Sequence, residues 1–172
     1  FQMMVQIRNM DIMAILSDTT NIISEGEVQQ LVNAKNPDVD ESGYFNVIHK
    51  KTAALFEGSC ETAAVLAEAN IEQRHSLRRY GYHLGLAFQL IDDALDYEGD
   101  AEALGKNVGD DLAEGKPTLP LIEAMKRGTK AQSELIAAAI RNGDSKQLKA
   151  VVEIVHTTGA LEYTNNCAHE QV

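Results

Sequence analysis

Apolar positions recur at helical intervals from the first residues of this chain. Met4, Ile7, Ile12, Ile15, Leu16, Ile23, Val28 and Leu31 mark a helix over about 2–35. Gly26 is placed to bend it. Asn36-Pro37-Asp38 ends it, because the residue before a proline is pushed out of the α region. Residues 38–42 are polar and acidic and read as a solvated loop. Val47, Ile48, Ala54, Leu55, Ala64, Val65 and Leu66 carry a second helix over about 44–70, and a third runs over about 71–97. Residues 98–116 then bring Gly99, Gly105, Gly109 and Gly115 with almost no apolar content. A loop of that length in a compact domain is usually functional or disordered. Helices resume at Thr118-Leu119-Pro120, with threonine as N-cap and proline in the first turn. Shorter segments follow near 119–127, 131–141 and 145–157, the second stopped by Asn142-Gly143. No stretch alternates as a strand does, and no repeat occurs. The pattern predicts an all-α fold, a bundle of antiparallel helices around a central cavity.

The third helix departs from the usual amphipathic plan. At about 100° per residue, Gly85, Phe88, Gln89, Asp92 and Asp96 share one stripe, with Asp93 at its flank. Leu84, Leu86, Ala87, Leu90, Ile91, Ala94, Leu95 and Tyr97 fill the other directions, so a narrow carboxylate stripe crosses an otherwise apolar helix. Burying carboxylates costs several kcal/mol or more unless something compensates, and like charges at i and i+4 repel. A hard divalent cation such as Mg²⁺ answers both problems, bound by one or two carboxylates plus substrate phosphates. The competing reading is a helix end in solvent with its aspartates merely exposed. A metal–diphosphate site also needs cations for the oxygens the metal does not reach. Lys51-Thr52 lies inside an apolar run of the second helix, and Lys106 and Lys116 sit in the glycine-rich stretch beyond the aspartates. Asp92 and Lys51 are predicted to point into the cavity.

Composition narrows the alternatives. The chain is 172 residues, enough for one domain with a single core. With 15 basic and 26 acidic residues its net charge is −11, which gives no general attraction for nucleic acid or an anionic membrane surface. No apolar run approaches the roughly 18 residues that span a bilayer. Two cysteines do not make a disulfide scaffold; Cys60 reads as a small core residue and Cys167 as a free thiol in a disordered tail. His49, His75, His83, His156 and His169 never fall at a metal-ligand interval with one another or with a cysteine. The chain opens on Phe1 already in helical periodicity and stops at Val172 without a terminating signal. That reads as an internal piece of a longer protein.

Three motifs in register carry a family resemblance over nearly all of residues 1–130. Phe88-Gln89-Leu90-Ile91-Asp92-Asp93-Ala94-Leu95-Asp96-Tyr97 resembles the second aspartate-rich motif of the trans-polyprenyl diphosphate synthases. Lys51-Thr52 resembles their Lys-Thr signature. The stretch from Gly105-Lys106 through Asp110-Asp111 and Glu114-Gly115-Lys116 to Pro120 resembles the loop that follows, and Glu25-Gly26-Glu27 is also in place. The likeness is to long-chain bacterial members. It implies an isoprenoid-synthase fold, here incomplete, with residues 1–172 as the C-terminal part of one catalytic domain. It implies a Mg²⁺-dependent, cytoplasmic and homodimeric prenyltransferase acting on isopentenyl diphosphate and an allylic diphosphate. Asp92, Asp93 and Asp96 match the metal cluster. Lys51, Thr52, Gln89, Lys106 and Lys116 match positions that bind the diphosphate or face the carbocation, with Lys51, Thr52, Gln89 and Asp92 in catalytic roles. Phe88 adds a π face that suits a transient cation. The family's first aspartate-rich motif and its neighbouring arginines fall upstream of Phe1, so the chain alone is expected to be inactive. Two alternatives stay open: a class I terpene cyclase, and a non-catalytic helical partner of a synthase.

Overall fold

The computed structural model describes residues 2–98, 109–143 and 145–172. No strand forms among the described residues, and no helix there is long and apolar enough to cross a membrane. The first predicted helix is two: α1 (Gln2–Ile7) and α2 (Met10–Asn33). Asn9 breaks them apart. Its Oδ1 accepts from the Asp11 and Ile12 amides at 3.0 and 3.2 Å, and Arg8 takes φ 53°. Capping of orphan amides outweighs the apolar period there. Gly26 does not bend α2, which runs through it unbroken; a Cβ at Gly26 would lie 2.7 Å from the backbone N of Lys51. This glycine exists for close approach.

The second helix begins earlier than its apolar residues suggest, because Asp40 accepts from the Gly43 amide at 2.8 Å and starts α3 (Glu41–Ile48). A π-helical segment (His49–Ala53) follows without a break and leads into α4 (Ala54–Leu66). A capping box, Asn70 with Gln73, opens α5 (Ile71–Leu95). The connection from α4 is short, so α4 and α5 lie antiparallel.

Residues 99–108 of the predicted loop lie outside the described residues; its described part contains a helical turn, α6 (Asp110–Ala113). Thr118 does precede α7 (Leu119–Arg127) as N-cap, but its hydroxyl sits 3.4 Å from the Tyr97 hydroxyl instead of capping. Then come α8 (Lys130–Asn142), a 3₁₀ turn (Ser145–Gln147), α9 (Leu148–Thr157) and α10 (Ala160–His169). The last was not anticipated. Cys167 is a free thiol, but it is buried in α10 and not in a tail; Cys60 is only partly buried.

Two apolar clusters hold the elements together. Tyr97, Leu112, Leu121, Ile136, Ile140, Val151 and Val155 pack α6 to α9 on the end of α5. Tyr44, Ile48, Leu86, Leu90, Leu119 and Cys167 join α3, α5, α7 and α10. Each fully buried aliphatic side chain contributes about 1.5–3 kcal/mol. Between these clusters and α2 the helices leave a cavity.

Candidate active site

The cavity holds about 200 Å³ and is lined from five directions. α2 supplies Gln30, α3 supplies Tyr44, the π segment Lys51 and Thr52, α5 Gln89, Asp92 and Asp93, and the stretch from α6 to α7 Asp111, Lys116 and Thr118. A π bulge inside an α-helical run is frequent at functional sites, since it turns side chains out of the regular register. Two glycines admit its backbone: Gly26 on one side and, on the other, Gly85, whose Cβ would lie 2.5 Å from the Ala53 Cα.

A chain of hydrogen bonds crosses the cavity wall. The Thr52 hydroxyl donates to Gln89 Oε1 at 2.7 Å, and Gln89 Nε2 donates to Asp93 Oδ1 at 2.8 Å. The Tyr44 hydroxyl donates to Asp93 Oδ2 at 2.6 Å. The amide of Gln89 is thereby locked in one orientation. Lys51 Nζ donates to Gln30 Oε1 and stands 3.7 Å from Glu27 Oε1. Lys116 Nζ pairs with Asp111 Oδ1 at 3.0 Å and Glu114 Oε2 at 2.6 Å.

Asp93 was placed at the flank of the stripe but is buried, at 4% exposure. Burial, then the nearby Asp111 carboxylate, pushes its pKa up to about 7, against the pull of the Tyr44 and Gln89 hydrogen bonds. Burial and Asp111 likewise raise Asp96 to about 6. Burial alone would lower Lys116, but its hydrogen bonds and charge contacts to Glu114 and Asp111 hold it above the ordinary lysine value.

Lys51, Thr52, Gln89, Asp92, Asp93 and Lys116 therefore meet at one cavity. Two other candidates do not line it. Asp96, the C-cap of α5 and still helical in its backbone, accepts with its carboxylate from the Gly109 and Asp111 amides at 3.1 and 3.2 Å and anchors α6. Phe88 is 56% exposed, its ring centroid 5.6 Å from that of Phe56. Lys106 lies outside the described residues. Sequence reasoning missed Tyr44, Gln30 and the cavity position of Asp111. The acidic spacing of α5 could not reveal that Asp93 bonds Tyr44, 49 positions away, or that Lys51 bonds Gln30, 21 positions away. Asp110-Asp111 was visible in the motif, but within a stretch read as a loop; the α6 turn and Lys116 hold Asp111 in place.

Among the described residues no three His, Cys, Asp or Glu side chains form a ready metal cage. Carboxylate oxygens on one cavity wall still suit an ion such as Mg²⁺, which keeps water or phosphate oxygens as most of its ligands.

Residues 1–157 match the polyprenyl synthetase family. The chain is 47% identical over 172 residues to the octaprenyl diphosphate synthase of Escherichia coli (strain K12), covering 99% of this chain and 53% of that protein. It is 48% identical over 171 residues to the all-trans-nonaprenyl-diphosphate synthase (geranyl-diphosphate specific) of Rhodobacter capsulatus, covering 99% and 52%. The crystal structure of a polyprenyl synthase from Caulobacter crescentus CB15, complexed with calcium and isoprenyl diphosphate, superposes with a TM-score of 0.93 at 40% identity, again covering 99% and 53%. The chain thus spans about half the length of the curated relatives it matches. The family match and the all-helical fold shared with solved polyprenyl synthases agree with the motifs that converge on the cavity: the chain belongs to the polyprenyl synthetase family.

Proposed function

We infer that the complete protein carrying this chain is a prenyltransferase. It condenses isopentenyl diphosphate with an allylic diphosphate into a long-chain all-trans polyprenyl diphosphate, in the octaprenyl range and of the kind used for quinone side chains. Residues 1–172 form the C-terminal part of its catalytic domain, and it works as a homodimer in the cytoplasm. The observation that carries this reading is the convergence of Lys51, Thr52, Gln89, Asp92 and Lys116 on one cavity. The octaprenyl and nonaprenyl synthases at 47% and 48% identity support the chain length, and the family match favours elongation over a cyclase or a non-catalytic partner.

The roles follow from charge. When an allylic diphosphate ionises, negative charge builds on the departing oxygens, and fixed cations aimed at them stabilise the transition state more than the ground state. Lys51 and Lys116 face that position, and the family resemblance assigns Lys106 as a third cation. Their partly exposed pairs with Glu27, Asp111 and Glu114 contribute about 0–1 kcal/mol each, so a diphosphate displaces them readily. Asp92 and Asp111 would hold Mg²⁺, which supplies Lewis-acid neutralisation of the leaving group when bound. Asp93, both oxygens engaged, and Asp96, bonded to the α6 backbone, orient that wall. The Thr52 hydroxyl and locked Gln89 amide offer oxygen dipoles to the carbocation, and Phe88 is assigned to the hydrocarbon.

The test is turnover of the full-length protein with labelled isopentenyl diphosphate, an allylic primer and Mg²⁺. Labelled long-chain product is expected, with Asp92→Ala reducing kcat at saturating Mg²⁺. An active protein that leaves the label unincorporated would refute the reading.

A further inference from the structure

A polar ladder runs up to the π segment along the seam of α4 and α5. On α4, Glu57 and Glu61 lie one turn apart and each is only 13% exposed. From α5, Arg74 Nε and Nη2 reach Glu61 Oε1 at 2.8 Å, and Arg78 Nε reaches Glu57 Oε2 at 3.2 Å. The rungs repeat every four residues on both antiparallel helices. At the top rung, Glu57 Oε1 lies 2.7 Å from Nε2 of His49, the first residue of the π segment. The His49 ring also meets Tyr82 of α5 edge-on, centroids 5.2 Å apart.

Positions eight apart in an unbroken α-helix are separated by about 12 Å along the axis. The His49–Glu57 bond therefore spans the whole bulge, from its first residue to the first turn of α4. It closes on the bulge geometry and ties it, through Arg78, to α5. The same bulge presents Thr52 to Gln89 on α5. Burial alone would raise the Glu57 pKa, but the hydrogen bonds from His49 and Arg78 hold it below the ordinary value, so the carboxylate stays charged in its pocket.

We propose that His49 and Glu57 are positioning residues for prenyl transfer: linked to Arg78, they hold the π segment in the register that lets Thr52 meet Gln89, and they touch no substrate. This rests on the prenyltransferase reading above. The lower contact, Arg74 with Glu61, lies one turn further from the π segment; Glu61 Oε2 also stands 3.7 Å from Arg78 Nε, so Arg74, and not Glu61, is the ladder residue whose loss leaves Arg78 its acidic partners.

The experiment is a double-mutant cycle in the full-length synthase, with kcat and KM for the allylic diphosphate normalised to folded protein. Glu57→Gln is made alone and with Thr52→Val, and Arg78→Gln replaces it if that variant fails to fold. Removing a contact that acts through Thr52 gives non-additive losses, and a misplacement of about 1 Å can cost on the order of 100-fold. The upper-rung variant should lose about tenfold in kcat/KM with Thr52 present and under about twofold with Thr52→Val. His49→Gln, which keeps a donor, should retain more activity than His49→Ala. Arg74→Gln should lower the melting midpoint while kcat/KM stays within about twofold. Equal fold-losses in both Thr52 backgrounds, or an equal kinetic loss in Arg74→Gln, would overturn the positioning role while leaving the prenyltransferase reading intact. A folded parent that makes no prenyl product would overturn both.

Discussion

Gly85→Ala adds one methyl group at the tightest contact behind the candidate active site. In an exposed helix the change is favourable, because alanine exceeds glycine in helix propensity by about 1 kcal/mol. At Gly85 the new Cβ would stand 2.5 Å from the Ala53 Cα, 3.0 Å from its Cβ and 3.2 Å from Phe56 Cδ2. Carbon atoms rest about 3.5–4.0 Å apart, so α5 and the π segment must separate by about 1 Å. Overpacking of this kind costs about 1–3 kcal/mol. Thr52 and Gln89 flank the contact, and their 2.7 Å bond would stretch past the hydrogen-bonding range. An orphaned partner adds about 1–3 kcal/mol. Set against the propensity gain, the net destabilisation is about 1–5 kcal/mol. Urea unfolding of the full-length protein measures it, with Gly43→Ala as control. The Gly43 Cβ would meet only side-chain atoms of Asp40 and Val39, at 3.2 and 3.3 Å, so that variant should stay near neutral. Activity adds a second readout: kcat/KM should fall on the order of 100-fold. A Gly85→Ala protein as stable as the parent with unchanged kinetic constants would refute the idea that this glycine sets the spacing of the site.

Two further outcomes are expected. Lys116→Ala should raise KM for the allylic diphosphate more than for isopentenyl diphosphate, and equal changes in steady-state assays would remove its assigned role. Asp93, raised to about 7 chiefly by burial, binds a proton in the folded state that the unfolded chain has released. Stability of the metal-free protein should therefore fall as pH rises from about 4 to about 7, and Asp93→Asn should flatten that slope in urea titrations. An unchanged slope would count against a buried, titrating Asp93.

Much of this was legible because the decisive signal is local. The carboxylate stripe, its apolar girth and the capping residues all lie within α5, and a 3.6-residue period finds them. The rest lies in local backbone geometry and in contacts between helices, which a helical period does not carry. Asp96 continues the helical backbone as the C-cap of α5, and its bonds to the Gly109 and Asp111 amides are contacts that the stripe does not register. The π segment inserts its turn without any change in residue type, so Lys51 and Thr52 were found but their presentation was not. α10 hides its packing face in small or polar residues: Ala160, Thr164, Cys167 and Ala168 are buried, with the Thr164 hydroxyl bonded to the Ala160 carbonyl at 3.0 Å. Tyr44 reaches Asp93, and Gln30 reaches Lys51, from other helices, and the periodicity of one helix does not register such pairs.

Asp111, the carboxylate that sequence reasoning left in a loop, offers a test in which two readouts move in opposite directions. Its negative charge is the main electrostatic cause, after burial, of the raised values at Asp93 and Asp96. Asp111→Asn removes that repulsion, keeps the backbone N–H that bonds Asp96, and leaves Lys116 with Glu114. Without metal at pH 8, the variant should be as stable as the parent or more so, by on the order of 1 kcal/mol. If Asp111 helps to hold Mg²⁺, the same change weakens the ion's grip, and every tenfold loss in affinity removes about 1.4 kcal/mol of the stabilisation at saturation. Thermal melts with and without Mg²⁺, in the presence of inorganic diphosphate, measure both quantities on one sample. The metal-free midpoint should hold or rise while the Mg²⁺-induced shift shrinks. A lower metal-free midpoint would show that Asp111 is chiefly structural, held for its bond to Lys116. A Mg²⁺ shift equal to the parent's would remove it from the metal-facing wall. Only the pairing of relief without metal and loss with it fits a carboxylate kept beside two others at a cost to stability, for the sake of a cation that the fold itself does not require.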